Sequence, residues 1–324
     1  MPAHRRRLMV VGASAAAVLP LPSWSQVSAP RSLRIVIPFP AGGTTDVLPR
    51  IVAEKLRPHY PGGVLVDNRP GAGGNIGAEH VFRSAPDGGT VLVAPPGPIV
   101  INQFLYGKLG YDARQWVPLT VLATIPNVLS VRSKFPATSL REFIAYVRAQ
   151  PGKVSFASQG NGSTSHLTAH LFMSLTQTSM VHVPYKGTPP ALTDLMAEQV
   201  DVFFDNIGSS GPLHAGRKLR VLAVADQGRS MVLLNVPTFA EEGVPGMVAV
   251  TWVAAVAPPN TSPELVSSLY KQIESALAAP DLYRRFIEYG ATPCGWAPDQ
   301  TDAFFNSERA KWGQVVRVAK VTLD

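Results

Sequence analysis

The chain has 324 residues, a formal net charge of +7 and a single cysteine, Cys294. One cysteine excludes an internal disulfide and a cysteine metal cluster, and its surroundings, TPCGWAP, predict a packed thiol rather than a nucleophile. This length allows two domains with a sizeable core. Past the N-terminal region the sequence has no lysine and arginine cluster with interleaved aromatic residues, so we expect no nucleic-acid partner.

The first 25 residues have the pattern of a secretory signal peptide. Three arginines at 5–7 precede an apolar run from Leu8 to Leu21, and small residues follow at Ser23 and Ser25. The run is too short to span a bilayer, so cleavage near Ser25 and a periplasmic location are expected, against the alternative of an uncleaved anchor. The Sec and twin-arginine routes both stay open. Cleavage removes three arginines and no acids, which lowers the charge from +7 to +4.

The stretch from Ile35 to Leu56, IVIPFPAGGTTDVLPRIVAEKL, predicts a strand, a Pro/Gly loop and a helix. Thr44 or Thr45 is the expected cap of this helix, and Pro49 is expected in or near its first turn. Unpaired amides and the positive end of the helix dipole meet at such a turn, which makes it a candidate anion site. We name the loop and helix start, residues 38–46, the first turn.

The segments that follow continue an α/β pattern. Val64 to Val66 is a predicted strand, a helix runs from the GAGG loop to about Ser84, and Thr90 to Ala94 is a third strand. Two more strands, 116–124 and 127–131, are predicted next, and they are the expected first crossing into a second lobe. Helices are expected at about 139–150, 190–198, 263–278, 281–289 and 298–319, and strands at 181–183, 200–204, 219–225 and 249–257. The run 249–257 is the expected return crossing.

The stretch from Val154 to Leu175 repeats the strand, glycine turn and helix plan. We name its loop and helix start, residues 158–166, the second turn; it adds hydroxyls at Ser158, Ser163 and Thr164. Donors without a nucleophile, base or metal suit reversible binding of a carboxylate better than catalysis. We therefore predict that the two turns face each other across a cleft and hold one small anion. The alternative is that both are ordinary capped strand–helix turns.

The motifs of common enzymes are incomplete in this chain. GAGGNIG has Ile76 where the dinucleotide fingerprint needs glycine, and the sequence contains no phosphate-binding loop motif. The second turn lacks the G-x-S-x-G spacing of a nucleophile elbow. His166 and His170 stand four apart, but Leu167 takes the place of the metalloprotease glutamate, so packed or capping histidines are favoured over a metal pair. We expect no catalytic residue, metal or cofactor.

Asp46 and Asp205 can each be interpreted in two ways. Asp46 is either a first-turn acid that favours the helix dipole or a residue that orients the loop and a bound water, and we favour the second. Asp205 ends the apolar run VDVFFDN and is either a turn former or a carboxylate presented to a ligand amine or hydroxyl.

At these residues the chain resembles the Bug family of periplasmic solute receptors, the substrate-binding component of tripartite tricarboxylate transporters. The motifs that carry the resemblance are IVIPFPAGGTTD (35–46), VDNRPGAGGNIGAE (66–79), APDGGT (85–90), ASQGNGSTSHL (157–167), VHVPYKGTPPALTDLMAEQVDVFFDN (181–206), LRVLAV (219–224), VPTFAEEGVPG (236–246) and KW (311–312). They cover nearly all of the chain after residue 25, in the family's order. Ala41, Gly89 and the segment 231–235 depart from the family pattern.

The resemblance implies an α/β, two-lobe periplasmic binding protein of the Venus-flytrap, type II-like class, each lobe a mainly parallel sheet flanked by helices. We place lobe 1 at residues 26–126 plus 253–324 and lobe 2 at 127–252. The implied ligand-binding residues are Phe39, Ala41, Gly42, Thr44, Asp46, Ser158, Gly160, Gly162, Ser163, Thr164, His166 and Asp205.

The implied function is capture of a small carboxylate, meaning a di- or tricarboxylate, an acidic amino acid or an aromatic acid. A monomer would then deliver it to membrane transporter subunits. Two alternatives remain at this point. One is a ligand sensor for a signalling partner, and the other is an exported hydrolase that uses His166.

Overall fold

The computed structural model describes residues 30–319 and 323, so the predicted signal peptide lies outside the described residues. The strands are β1 Leu33–Ile37, β2 Val64–Asn68, β3 Thr90–Ala94, β4 Val117–Arg132, β5 Ser155–Ser158, β6 Val181–Pro184, β7 Val202–Asn206, β8 Leu219–Val224, β9 Val250–Ala257 and β10 Thr292–Pro293. The helices are α1 Thr44–Leu56, α2 Asn75–Phe82, α3 Leu140–Ala149, α4 Thr164–Thr176, α5 Thr188–Met196, α6 Ile207–Ala215, α7 Pro263–Leu277, α8 Pro280–Glu288 and α9 Pro298–Ala319. In residues 30–319 no helix is both long and apolar enough to cross a membrane.

Two groups of parallel strands are joined by two crossing strands. β1 pairs in parallel with β2 and β3, and β5 pairs in parallel with β6 and β7. The strand order β2-β1-β3-β9-β4-β7-β5-β6 places β9 and β4 between the two groups, where their pairings are antiparallel. The α/β, two-lobe class is therefore confirmed, and the crossing strands make the sheet mixed.

The predicted strands 116–124 and 127–131 form one continuous strand of 16 residues, β4. Its first part pairs with β9, ending at Pro126 opposite Val250, and its second part pairs with β7 and β8 from Asn127 onward. The gap between the two predicted strands contains Pro126, which has no N–H to donate to a ladder. The chain stays extended because the strand changes partners at this point. This exchange of partners lies at the proposed lobe boundary, and the boundaries remain a proposal.

The return strand and the last helix are held together by a buried acid. Glu308 of α9 accepts hydrogen bonds from the indole nitrogens of Trp252 and Trp312, each at 2.8 Å, and all three residues are buried. Two indole donors satisfy a carboxylate that would otherwise be costly to bury. This contact ties the crossing strand β9 to α9.

Several helix ends differ from the sequence prediction. Gly43 occupies the cap position of α1 without a side-chain bond, so neither Thr44 nor Thr45 is the cap. Pro49 is the sixth residue of the helix, in its second turn, where it forgoes one backbone bond. Ser139 and Ser262 cap α3 and α7 through their side chains. Helix α6 was missed because its sequence, IGSSGPLHA, contains two glycines and a proline.

The sequence has one capping-box spacing at Ser139 and Glu142 and another at Thr238 and Glu241, and the two have different outcomes. Ser139 caps α3, but Glu142 accepts from the amide and hydroxyl of Thr138 rather than completing the box with Ser139. Thr238 and Glu241 form the full reciprocal pair, with bonds of 2.7 and 3.2 Å. That pair closes an isolated turn instead of an α-helix, because glycine and proline follow within a few residues.

Candidate ligand-binding site

The first turn is fixed by the carboxylate of Asp46. One oxygen accepts from the amide of Gly42 at 3.0 Å, and both accept from Nε of Arg50 at 3.0 Å. Asn68, at the end of β2, donates both to Asp46 and to the carbonyl of Phe39, at 2.8 and 2.9 Å. The geometry supports the interpretation of Asp46 as the residue that orients the loop. Burial alone would raise its pKa, but these hydrogen bonds outweigh burial and hold the pKa below its usual value of 3.8.

The second turn is fixed by serine hydroxyls and two left-handed glycines. Ser163 caps α4 and donates to the carbonyl of Gly160 at 2.6 Å, and Ser158 accepts from the amide of Gly160 at 3.1 Å. Gly160 and Gly162 have φ of +122° and +74°, which an L side chain would strain. The amide of Gly162 donates to Nδ1 of His166 at 3.1 Å. The turn is therefore held at both of its glycines.

His166 belongs to a packed group of three histidines. Its ring lies 3.9 Å from the ring of His182, nearly parallel, and its Nε2 lies 3.2 Å from Nε2 of His170. Burial, and then the neighbouring histidines, lower the pKa of His166 to about 3, and burial lowers that of His182 to about 4. Because Nδ1 of His166 accepts from Gly162, its neutral ring carries the proton on Nε2 and donates it to His170. These are packed histidines, as the sequence favoured.

The two lobes touch beside the turns. The hydroxyls of Thr44 and Ser209 lie 2.9 Å apart. A Cβ added at Gly43 would lie 3.6 Å from Thr188, and one added at Gly187 would lie 3.2 Å from Pro40. Small residues on both sides thus allow the first turn to pack closely on the start of α5.

A cavity of about 20 Å³ lies where the turns approach each other. Its lining comes from both lobes: Phe39, Gly73, Pro95, Gly97, Asn102, Gln159, Asn161, Gly162, Ser163 and Thr164. All ten are uncharged residue types. A ligand anion here would have to be held by amides and hydroxyls rather than by a lysine or arginine of the lining.

Four residues of the predicted site line this cavity, namely Phe39, Gly162, Ser163 and Thr164. Asp46, Ser158, Gly160 and His166 support the turns from behind, and Thr44 bonds across to Ser209. Ala41 and Gly42 are exposed and do not line it. As a set, the predicted residues remain a proposal for ligand contact.

Six lining residues were not predicted. Gln159 and Asn161 lie inside the second turn, and their polar side chains in a glycine-rich loop were an available signal. Gly73, Pro95, Gly97 and Asn102 follow β2 and β3, whose carboxyl ends meet at the same edge of the sheet as that of β1. Ligands of parallel sheets typically bind at this edge, outside the carboxyl ends of the strands.

Asp205 is fully buried at the end of β7 and does not line the cavity. It accepts from the hydroxyl of Ser210 at 3.0 Å and from Nε2 of Gln159 at 3.2 Å. Burial raises its pKa to about 7, against the lowering by these donors. Asp205 therefore lies behind Gln159, which stands between it and the cavity. Within residues 30–319 and 323, no group of three or more His, Cys, Asp or Glu side chains is arranged to hold a metal.

Comparison with known proteins agrees with this fold. A family model described as tripartite tricarboxylate transporter family receptor matches residues 48–321. Protein BugT of Bordetella pertussis is 36% identical over 289 residues, covering 89% of each chain. The R. palustris protein Rpa4515, solved with adipate, is 36% identical with a TM-score of 0.87, over 90% of this chain and 98% of that one.

MatC from Rhodopseudomonas palustris, solved with bound malate, is 31% identical with a TM-score of 0.82, over 88% of this chain and 98% of that one. These matches cover most of the chain rather than one motif. The chain therefore belongs to the Bug family of tripartite tricarboxylate transporter receptors.

Proposed function

We propose that this solute-binding receptor captures a small carboxylate between the first and second turns and delivers it to a tripartite tricarboxylate-type transporter in the membrane. Residues 1–25 would direct its export to the periplasm. The ligand would be a di- or tricarboxylate, an acidic amino acid or an aromatic acid. The observation that carries this proposal is the start of α4, where Gly162, Ser163 and Thr164 all line the inter-lobe cavity.

The start of α4 supports a carboxylate on electrostatic grounds. The first amides of a helix have no intrahelical acceptor, and the helix dipole adds positive potential at the same place. Thr164 contributes a hydroxyl as the first residue of the helix. The uncharged lining fits an anion held by such donors. Two similar receptors were solved with dicarboxylates, adipate and malate.

The same geometry supports capture rather than turnover. His166, on which the hydrolase alternative depends, has Nδ1 engaged by Gly162 and Nε2 engaged by His170. A general base needs a free ring nitrogen within reach of the proton that it removes. The pKa of about 3 also makes His166 a weak base. We therefore propose that bound carboxylates leave the protein unchanged.

The test is ligand binding by protein freed of bound solute through unfolding and refolding. A thermal-shift screen against carboxylates of the three classes should identify binders, and calorimetry should give their affinities. Thr164→Val, which replaces a hydroxyl with a methyl group of similar size, should weaken binding about tenfold. Thr193→Val is the matched control, since Thr193 lies exposed on α5 in the same lobe.

Three results would contradict the proposal. Absence of binding to every carboxylate tested would contradict the function itself. Equal affinities of Thr164→Val and the wild type would contradict the site. Delivery is tested by adding the loaded receptor to vesicles that contain the transporter subunits, where uptake that does not depend on the receptor would contradict that step.

A further inference from the structure

The side-chain amide of Gln159 is held in one orientation by a chain of hydrogen bonds between buried side chains. We name this chain, which runs from Thr168 through Asn127 and Asn206 to Gln159, the relay. Nε2 of Gln159 lies 2.9 Å from the hydroxyl of Thr188, 3.2 Å from Oδ1 of Asp205 and 3.3 Å from Oδ1 of Asn206. These three partners are buried. Because an amide nitrogen is a donor, this arrangement turns the nitrogen of Gln159 into lobe 2 and away from the cavity that Gln159 lines.

The orientation can be traced to a backbone carbonyl. The hydroxyl of Thr168 donates to the carbonyl of Thr164 at 2.6 Å, so it must accept from Nδ2 of Asn127 at 2.8 Å. Oδ1 of Asn127 then accepts from Nδ2 of Asn206 at 2.8 Å, which leaves Oδ1 of Asn206 to accept from Gln159. Because the only hydroxyl proton of Thr168 is donated to the carbonyl of Thr164, the orientation of each amide in the relay is fixed.

The relay does not depend on the charge of Asp205. It reaches Gln159 through Asn206, whose oxygen stays an acceptor whether Asp205 is ionised or protonated. Reversing the Gln159 amide would place its oxygen against the oxygen of Asn206, which is unfavourable. In the part of the chain that the structure describes, no residue donates a hydrogen bond to Oε1 of Gln159. That oxygen also keeps some accessible surface.

We infer that Oε1 of Gln159 is a fixed hydrogen-bond acceptor in the ligand cavity and selects carboxylates that also carry a donor, a hydroxyl or an ammonium group. This inference rests on the proposed function. A carboxylate oxygen has no proton to offer to Oε1, so the acid group belongs at the start of α4. The donor of the same ligand belongs at Gln159. A ligand without that donor leaves a desolvated amide oxygen unpaired, which costs binding free energy.

The experiment compares matched ligand pairs that differ by one hydroxyl: malate and succinate, 2-hydroxyglutarate and glutarate, 2-hydroxyadipate and adipate. With ligand-free wild type, calorimetry should show the hydroxylated member of the preferred chain length bound about tenfold more tightly, the size of one good hydrogen bond. Gln159→Met keeps the length of the side chain and removes the acceptor, and should reduce the ratio to about one. Gln199→Met, at an exposed position of the same lobe, should leave the wild-type ratio unchanged.

The outcomes separate this inference from the proposed function. Equal or tighter binding of the unhydroxylated members by the wild type would overturn the inference and leave the receptor function standing. Binding of no carboxylate at all would overturn both. Should Gln159→Met fail to fold, the wild-type ratios decide alone, and Gln159→Asn supplies a second variant whose shorter side chain withdraws the acceptor and should lower the ratio.

Discussion

The hydroxyl oxygens of Thr44 and Ser209 lie 2.9 Å apart and join residues 165 positions apart in the sequence. Thr44 lies in the first turn and is the first residue of α1, and Ser209 is the third residue of α6. The neighbouring Gly208 approaches lobe 1 so closely that an added Cβ would clash with the backbone carbonyl of Tyr289. The same Cβ would lie 3.2 Å from the hydroxyl of Thr44. The start of α6 thus rests on lobe 1 through small residues.

Gly208→Ala should hinder this contact and weaken carboxylate binding. We expect a loss of about tenfold, because closing the lobes would then displace backbone atoms, and overpacking of this kind costs about 1–3 kcal/mol. Calorimetry measures the affinity, and small-angle scattering with ligand should show a less compact protein. Gly211→Ala is the matched control in the same helix, since its added Cβ would find only Leu233, at 4.0 Å. Equal affinities of the two variants would show that this contact does not contribute to binding.

The local parts of the fold and site were predictable from the sequence. The strands of both parallel groups and the two glycine turns follow from short motifs with their own turn and capping chemistry, such as Ser163 before α4 and Ser262 before α7. The orientation of the first turn by Asp46 was also within reach, because the acid lies four residues from Gly42, to whose amide it bonds. Such contacts join residues that the sequence already places together.

The remaining features depend on contacts between distant segments. The relay from Thr168 to Gln159 passes through Asn127 and Asn206, which only the pairing of β4 with β7 brings together. Helix α6 forms in spite of two glycines and a proline, because it packs between lobes. Tertiary packing overrides local preference in such cases, and hydrogen bonds across 40 to 80 residues leave no periodic pattern in the sequence.

Asp46→Asn should loosen the first turn. The variant keeps the shape of the side chain but loses the charge that Arg50 and Asn68 bond, and we expect a loss of about 1–2 kcal/mol in the free energy of unfolding at pH 7. The lower half of that range is favoured because Arg50 is partly exposed.

The effect of Asp46→Asn should depend on pH. The folded pKa of Asp46 lies below 3.8, so its contribution is complete above that value and is lost as the pH falls through the folded pKa. Wild type and variant should therefore converge in acid during urea unfolding. Asp302→Asn, at an exposed position, is the control. A constant difference between Asp46→Asn and wild type at every pH would contradict the assigned role of the charge.

His182→Phe should flatten the dependence of stability on pH. The folded pKa of His182, about 4, lies below the usual 6.5, so between these values the unfolded chain binds a proton that the folded protein does not. Its contribution is therefore complete above about pH 6.5 and is lost as the pH falls through about 4, with a slope of up to about 1.4 kcal/mol per pH unit. Phenylalanine keeps the stacking on His166 and Phe156 without titrating. The same substitution at the exposed His59 is the control, and an unchanged slope in His182→Phe would refute the prediction.

Asp205→Asn should remove a loss of stability that occurs as the pH rises, whereas His182→Phe removes one that occurs as the pH falls. The folded pKa of Asp205 is raised from 3.8 to about 7, so the folded protein holds a proton that the unfolded chain releases between these values. The stability from this proton is complete below about pH 3.8 and is lost as the pH rises through about 7. Asparagine mimics the protonated acid at every pH, so the variant should be the more stable protein at pH 8 and should differ least from wild type at pH 4, as measured by urea unfolding.

Ligand affinity supplies an independent measure of the same charge. Above pH 7 an ionised Asp205 lies directly behind Gln159, and its charge repels an anion in the cavity through a medium of low dielectric. Wild type should therefore bind the preferred carboxylate more weakly at pH 8 than at pH 6, whereas Asp205→Asn should bind it equally at both. Asp194→Asn, which changes an acid bonded to Tyr185 rather than to Gln159, should keep the wild-type pH dependence. If Asp205→Asn kept the pH dependence as well, the charge behind Gln159 would not be its source.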